Sequence, residues 1–251
     1  MESGGPINLT LLFDADFDLF LSPDRRGQRS VEIVSAHATT IKDIVESCGV
    51  PHTEIGELRL NGSSSAGFKT RISDGDCIEV LPVKPAGEGG CCSLQPVPPE
   101  SAGFVTDIHL GKAARRLRLL GFDTCLFTGQ EDSELLDIMQ RDGRILLTRD
   151  RRLLMNNRVI FGCCIRSDRV NEQVRQVVGR YSLAARARPF SRCLACNGFL
   201  ESCLKSEVEK SLLPKTRLFY DAFFHCSSCG RIYWEGAHIK RLRTFVNDML
   251  G

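Results

Sequence analysis

Four cysteines in two pairs, Cys193-Leu194-Ala195-Cys196 and Cys226-Ser227-Ser228-Cys229, have the spacing of a structural zinc site. In each C-x-x-C a tight turn presents two thiolates to one tetrahedral ion, and two such turns close a four-sulfur shell at Zn–S distances of about 2.3 Å. A second set of residues with chemistry lies upstream. Asp107 follows Phe104-Val105-Thr106, Asp150 follows Ile145-Leu146-Leu147-Thr148-Arg149, and Asp132 opens a helical pattern. Carboxylates at the carboxyl ends of strands stand where open α/β sheets collect their ligands. Three hard oxygen donors gathered there call for Mg²⁺ or Mn²⁺, which take few carboxylates plus water and phosphate. Such an ion activates water and stabilises the leaving oxygen in an in-line attack on a phosphodiester. The same aspartates also stand where a helix N-cap is favoured, a role worth ~1 kcal/mol, so cap and ligand are both open. Asp168 is a weaker fourth candidate, and Glu131 and Glu134 flank Asp132 closely enough to substitute for it.

Basic residues surround the acids. Lys112, Arg115, Arg116, Arg149 and Arg151 are expected to meet the phosphates of a substrate, with Arg118 and Arg152 in the same stretches. The net charge is +2, but residues 1–100 hold 8 Lys+Arg against 15 Asp+Glu (−7), and residues 101–251 hold 25 against 16 (+9). Such a positive excess is the footprint of a phosphate-binding surface, and equally of solvated helix faces. Cys203, inside the 29 residues between Cys196 and Cys226, is a possible further ligand. His225 and His238 read as structural or phosphate-facing, because four thiolates already close a shell. Trp234, the single tryptophan, follows Tyr233 and would either complete a small ribbon's core or stack on unpaired bases.

These side chains need elements to position them. The first segment has β-rich stretches at 7–13 and 30–35, then a helical stripe of Thr40, Ile41, Ile44, Val45 and Cys48 closed by Gly49. Glu57 to Leu60 precedes an Asn61-Gly62 turn, and Cys77 to Val83 follows Asp74-Gly75-Asp76, giving a ββαββ order. Residues 84–100 hold four of the ten prolines and read as a linker. Beyond it, strands are expected at 103–106, 124–128 and 145–148, and helices at 111–120, with Gly121 as C-cap, and at 133–141. A further strand-like stretch runs from Val159 to Arg166. Alternating β and α elements with continuously apolar strands imply a parallel sheet covered on both faces.

Two resemblances follow. Gly49-Val50-Pro51-His52-Thr53-Glu54-Ile55-Gly56, with Leu60-Asn61-Gly62 and Asp74-Gly75-Asp76, resembles the ubiquitin-like domains related to small sulfur carriers. Phe104 to Asp107, Leu110 to Asp123 and Arg144 to Asp150 resemble the PIN-like ribonuclease family named for the C-terminal domain of the mut-seven exonuclease. The likeness runs from about residue 103 to 245 and includes the ribbon, with Arg192-Cys193-Leu194-Ala195-Cys196-Asn197-Gly198 and Cys226 to His238. Members of that family with a ubiquitin-like N-terminal domain are known, so the whole architecture is similar. The resemblance implies an α/β, PIN-like parallel-sheet domain with a C-terminal zinc ribbon, preceded by a ubiquitin-like β-grasp domain of α+β type. The expected boundaries are 6–84 for the β-grasp, 85–100 for the linker, 101–189 for the PIN-like domain and 190–251 for the ribbon and a C-terminal helix. It also implies RNA cleavage by PIN-type acidic residues, carried here onto Asp107, Asp132 and Asp150.

The leading expectation is therefore a Mg²⁺- or Mn²⁺-dependent ribonuclease with structural zinc, whose N-terminal domain offers a surface to a protein partner. The runner-up holds RNA without cutting it. A third reading is a fused sulfur carrier, suggested by Gly89-Gly90; sulfur carriers need a free C-terminal Gly-Gly, and here Cys91-Cys92 and 159 further residues follow. No apolar run approaches the ~20 residues needed to span a bilayer, so no membrane partner is expected. Met1 to Pro6 lacks the basic and apolar pattern of a secretory signal, and the scattered cysteines read as reduced thiols, which points to the cytoplasm.

Overall fold

Alternation in Ile7-Asn8-Leu9-Thr10-Leu11-Leu12-Phe13 puts Leu9, Leu11 and Phe13 on one buried face, and this stretch is the first strand, β1 (Ile7–Phe13). The computed structural model describes residues 6–37, 39–63, 66–84 and 93–251. Gly89-Gly90 and Cys91-Cys92 lie outside the described residues. After β1 come β2 (Ser30–Ser35), α1 (Ile41–Ser47), β3 (Ile55–Leu60) and β4 (Cys77–Pro82). Next are β5 (Phe104–Thr106), α2 (Gly111–Leu119), β6 (Thr124–Leu126), α3 (Asp132–Arg141), β7 (Ile145–Thr148), α4 (Arg151–Leu154), β8 (Gly162–Cys164) and α5 (Val170–Arg180). The remaining elements are β9 (Leu200–Cys203), α6 (Lys205–Val208), α7 (Pro214–Phe219), β10 (Phe223–Cys226), β11 (Ile232–Trp234) and α8 (Ile239–Leu250). No helix among the described residues is long and apolar enough to cross a membrane.

The chain divides into two compact units, one of residues 1–100 and 132–164, the other of 101–131 and 165–251. In the first, β2-β1-β4-β3 form a sheet in which β1 and β4 run parallel and the outer pairs antiparallel, the order of a β-grasp. Helix α1 starts at a reciprocal cap between Thr40 and Asp43 and buries Ile41, Ile44 and Val45. Gly49 ends it at φ +99°, where a Cβ would lie 2.5 Å from the carbonyl oxygen of Phe20, so the position admits only glycine without rearrangement.

The same unit contains β7 and β8, a parallel pair with α4 in the connection between them. The turn from α1 into β3 is bonded directly to this pair. Glu54, fully buried, accepts the backbone N–H of Cys164 at 2.8 Å. His52 has Nδ1 at 2.7 Å from Glu46 and Nε2 at 2.9 Å from the carbonyl of Val159. Arg151 donates to the carbonyl of Phe20 at 2.7 Å, and Lys42 reaches Asn157. Part of the expected linker is held as well: Leu94 N–H donates to Gly56, and the Gln95 amide donates to the carbonyls of His52 and Ile55, each at 2.7 Å. The strand-like stretch from Val159 to Arg166 contributes only Gly162–Cys164 to β8, while Val159 N–H donates to the Asn156 carbonyl and Arg166 N–H to the Gln176 side chain.

In the second unit β5 and β6 are parallel, joined by α2. Helix α2 packs on α5, which packs on α8. Strands β11-β10-β9 make an antiparallel ribbon with a small core of Val208, Leu212 and Phe223, against which Cys203 and Tyr220 pack. The division sharpens the charge asymmetry of the sequence. The second unit holds 19 Lys+Arg against 11 Asp+Glu, net +8, and the first holds 14 against 20, net −6.

Replacing Glu54 by alanine strands the buried N–H of Cys164, a loss of about 1–3 kcal/mol. Urea denaturation of the full chain is expected to show a lower midpoint with an unchanged slope. An unshifted midpoint would mean that the bond adds nothing to the unit.

Candidate functional site

The sulfurs of Cys193, Cys196, Cys226 and Cys229 all lie within 4.8 Å of one another. Cys193 and Cys226 are buried, and Cys196 and Cys229 are exposed. Each pair comes from one tight turn in which the second cysteine's N–H points back to the first sulfur, at 3.5 Å in both. Burial opposes ionisation of Cys193, yet hydrogen bonds from the Tyr233 hydroxyl at 3.1 Å and from the backbone of Cys196 and Ala195 bring its thiol down to about 6. Cys196 goes the other way: the Gly198 N–H favours its thiolate, but burial and hydrogen bonds with Cys226, Cys229 and Cys193 push it up to about 12. Sulfurs this close cannot all ionise by themselves, and a divalent cation is what allows four thiolates at once. The four cysteines are thus positioned to bind a metal such as zinc. Cys203 packs in the ribbon core instead.

The first cysteine turn is mounted on the β5–α2–β6 layer by buried polar groups. Arg118 on α2 is 4% exposed, and its guanidinium donates to the carbonyls of Thr124 at 2.9 Å, Leu194 at 3.1 Å and Ala195 at 2.8 Å. Asn197, in the left-handed region at φ 74°, accepts from Thr124 N–H at 3.0 Å and donates to Asp123 at 2.9 Å. Arg192 donates to Gly121 and Asn197 carbonyls and lies 4.5 Å over the Phe199 ring. Gly121, at φ +93°, could not carry a side chain, since a Cβ would meet the Arg188 oxygen at 2.2 Å.

Of the three expected catalytic acids, Asp107 directly follows β5 in the second unit, and Asp132 and Asp150 belong to the first. Asp107 Oδ1 accepts His109 N–H at 2.8 Å, capping a single helical turn ahead of α2. Asp150 follows β7 by one residue and caps α4, Oδ1 accepting from Arg152 N–H at 2.8 Å and Leu153 N–H at 3.2 Å. Both bonds use one oxygen, and Oδ2 of Asp150 has no partner among the described residues. Asp132 is the exposed first residue of α3.

The expected basic residues have different surroundings. Lys112, Arg115 and Arg116 line a groove of about 350 Å³ with Leu119, Asn171 and Leu242, and among the described residues no carboxylate lines it. Arg116 stacks 4.5 Å from the Phe245 ring centre, while Lys112 and Arg115 form no ion pair among the described residues. Arg149 is exposed, and Arg151 is committed to backbone carbonyls in its own unit. Arg118, grouped with these residues by sequence, is a core residue. A cleft of about 600 Å³ that residue types alone did not reveal lies between α7, β11 and the start of α8.

Residues 102–246 match the family described as Mut7-C RNAse domain, and residues 7–87 match the family described as Mut7-C ubiquitin. The exonuclease mut-7 homolog of Homo sapiens is 22% identical over 232 residues, covering 61% of this chain and 26% of that protein. The chain thus spans about a quarter of the length of that curated relative. No solved structure matches it.

The 251-residue chain is expected to bind one zinc, more weakly as pH falls, because binding displaces thiol protons. Cys226→Ser should leave the site readily stripped by a chelator, and Arg118→Met should accelerate stripping while keeping the stoichiometry. Metal analysis after dialysis against chelator checks both. A full, chelator-resistant equivalent in Cys226→Ser would remove Cys226 from the ligand set.

Proposed function

The chain belongs to the Mut7-C RNase domain family, and on that footing we propose that it hydrolyses RNA phosphodiester bonds in a reaction that depends on the carboxylates of Asp107, Asp132 and Asp150. The observation that carries the reading to RNA is the groove of Lys112, Arg115 and Arg116, free of carboxylates, in a unit of net +8. Lys112 and Arg115 are exposed and form no ion pair among the described residues, which suits them to successive phosphates. The carboxylates suit Mg²⁺ or Mn²⁺ by donor type, and the unengaged Oδ2 of Asp150 is a hard oxygen on a side chain whose other oxygen is already fixed. A bound ion supplies an activated water and charge stabilisation for the leaving oxygen. The chain's part is to hold the strand by its phosphates and the carboxylates at strand ends. Zinc in the four-cysteine site is structural, since a closed thiolate shell leaves no open position for substrate.

The second reading, RNA binding without cleavage, has one observation in its favour: Asp107 and Asp150 already serve as caps. Asp150→Asn separates the two, because asparagine caps as well as aspartate but is a poor ligand for a hard cation. Cleavage of labelled single-stranded RNA in Mn²⁺ is expected to fall at least about 100-fold in this variant, with RNA affinity and thermal midpoint unchanged. Cleavage at the wild-type rate would overturn the role of Asp150 and favour a binding module.

A further inference from the structure

The cleft of about 600 Å³ beside the ribbon has walls of unusual composition. Phe219 and Tyr220 come from the end of α7, Tyr233 and Trp234 from β11, and Lys215 and His238 stand at its sides. Trp234 is 39% exposed and Phe219 71%. The Tyr220 and Trp234 ring centres are 6.5 Å apart at 47°, a tilted pair within the ordinary range of aromatic contacts. The indole lies over the turn that follows it. Gly236 N–H donates to the Trp234 carbonyl, and a Cβ at Gly236 would lie 3.0 Å from the indole nitrogen. Exposed aromatic rings gathered in one cleft are a feature of binding surfaces.

Two further facts identify the occupant. Among the described residues no carboxylate lines this cleft or the Lys112–Arg115–Arg116 groove, and Leu242 lines both. An exposed aromatic surface that adjoins a cationic groove is what a single strand of nucleic acid requires, bases stacking on rings while phosphates follow the cations. A peptide would need backbone partners or an apolar pocket without cations. Double-stranded RNA presents no open base faces.

We propose that the Phe219–Tyr220–Trp234 cleft is a stacking subsite for unpaired bases of single-stranded RNA, whose backbone runs on into the Lys112–Arg115–Arg116 groove. The identity of the strand rests on the nuclease reading above, and the subsite deepens it by giving the enzyme a preference for unpaired bases over duplex. Trp234 is the chain's single tryptophan, so its fluorescence reports the subsite directly.

The test uses the full zinc-loaded chain without added Mg²⁺ or Mn²⁺. Titration with a short oligouridylate is expected to quench Trp234 emission, while a ribose-phosphate strand of the same length without bases binds and does not quench. Trp234→Ala should lower affinity for oligouridylate by about 5- to 150-fold and leave affinity for the baseless strand unchanged, and Trp234→Phe should restore most of the loss. Absence of quenching in the wild type, or equal losses on both strands, overturns the proposal. If zinc content shows that Trp234→Ala does not fold, the wild-type quench and the Phe variant decide. Failure here is separable from failure of the nuclease reading: normal cleavage by Asp150→Asn with full quenching sinks the catalytic assignment alone, and lost cleavage without quenching sinks the subsite alone.

Discussion

A guanidinium withdrawn from water has to have its donors satisfied, because a buried charge with unmet hydrogen bonds costs several kcal/mol. Arg118 meets that condition with three backbone carbonyls, one from β6 and two from the first cysteine turn. Burial lowers its pKa, with the nearby cysteine sulfurs acting against that shift. The consequences spread outward from these bonds. With Ala113, Ala114, Leu117 and Arg118 on the buried side of α2, Lys112 and Arg115 are turned out to the groove and Arg116 onto Phe245. Leu194 and Ala195 lie between Cys193 and Cys196 in sequence, so the guanidinium holds the same loop that a bound metal would hold. The ribbon is thereby built onto the α2 layer rather than hung from it.

The N-terminal domain presents a different economy of bonds. Its acidic excess would suggest a tethered partner, but the buried Glu54, the His52 bridge to Val159 and the anchors at Leu94 and Gln95 build it into a common unit with residues 132–164. Arg151, which by sequence belongs to the phosphate-binding set, is spent on the carbonyl of Phe20. A β-grasp joined through buried hydrogen bonds to residues 132–164 is part of one compact unit with them.

Much of the architecture was legible because its signals are local. The alternation of β1, the stripe of α1 ended by Gly49, the apolar strands β5 and β7 and the two C-x-x-C turns are each specified within a few residues. What was not legible depends on distant partners. An arginine at position 118 looks like its neighbours at 115 and 116 until the carbonyls of residues 194 and 195 are known to face it. A glutamate at 54 resembles a surface residue until Cys164 takes its carboxylate. The aromatic cleft could not be foreseen either, since it joins α7, β11 and α8 across the 29-residue insertion and is visible in sequence only as Tyr233-Trp234.

The aspartates show why cap and ligand need not compete. A carboxylate has two oxygens, and a cap uses one of them to hold the side chain in a single rotamer. At Asp150 both capping bonds fall on Oδ1, and the residue's own N–H is tied to Thr148 Oγ1 at 3.0 Å. The second oxygen is therefore presented in a fixed direction just past the end of β7, without the entropy loss that a mobile side chain would suffer on binding a cation. Ligands oriented by hydrogen bonds of their own hold metals better than unsupported ones. The capping geometry of Asp150 is therefore compatible with the ligand role proposed for it.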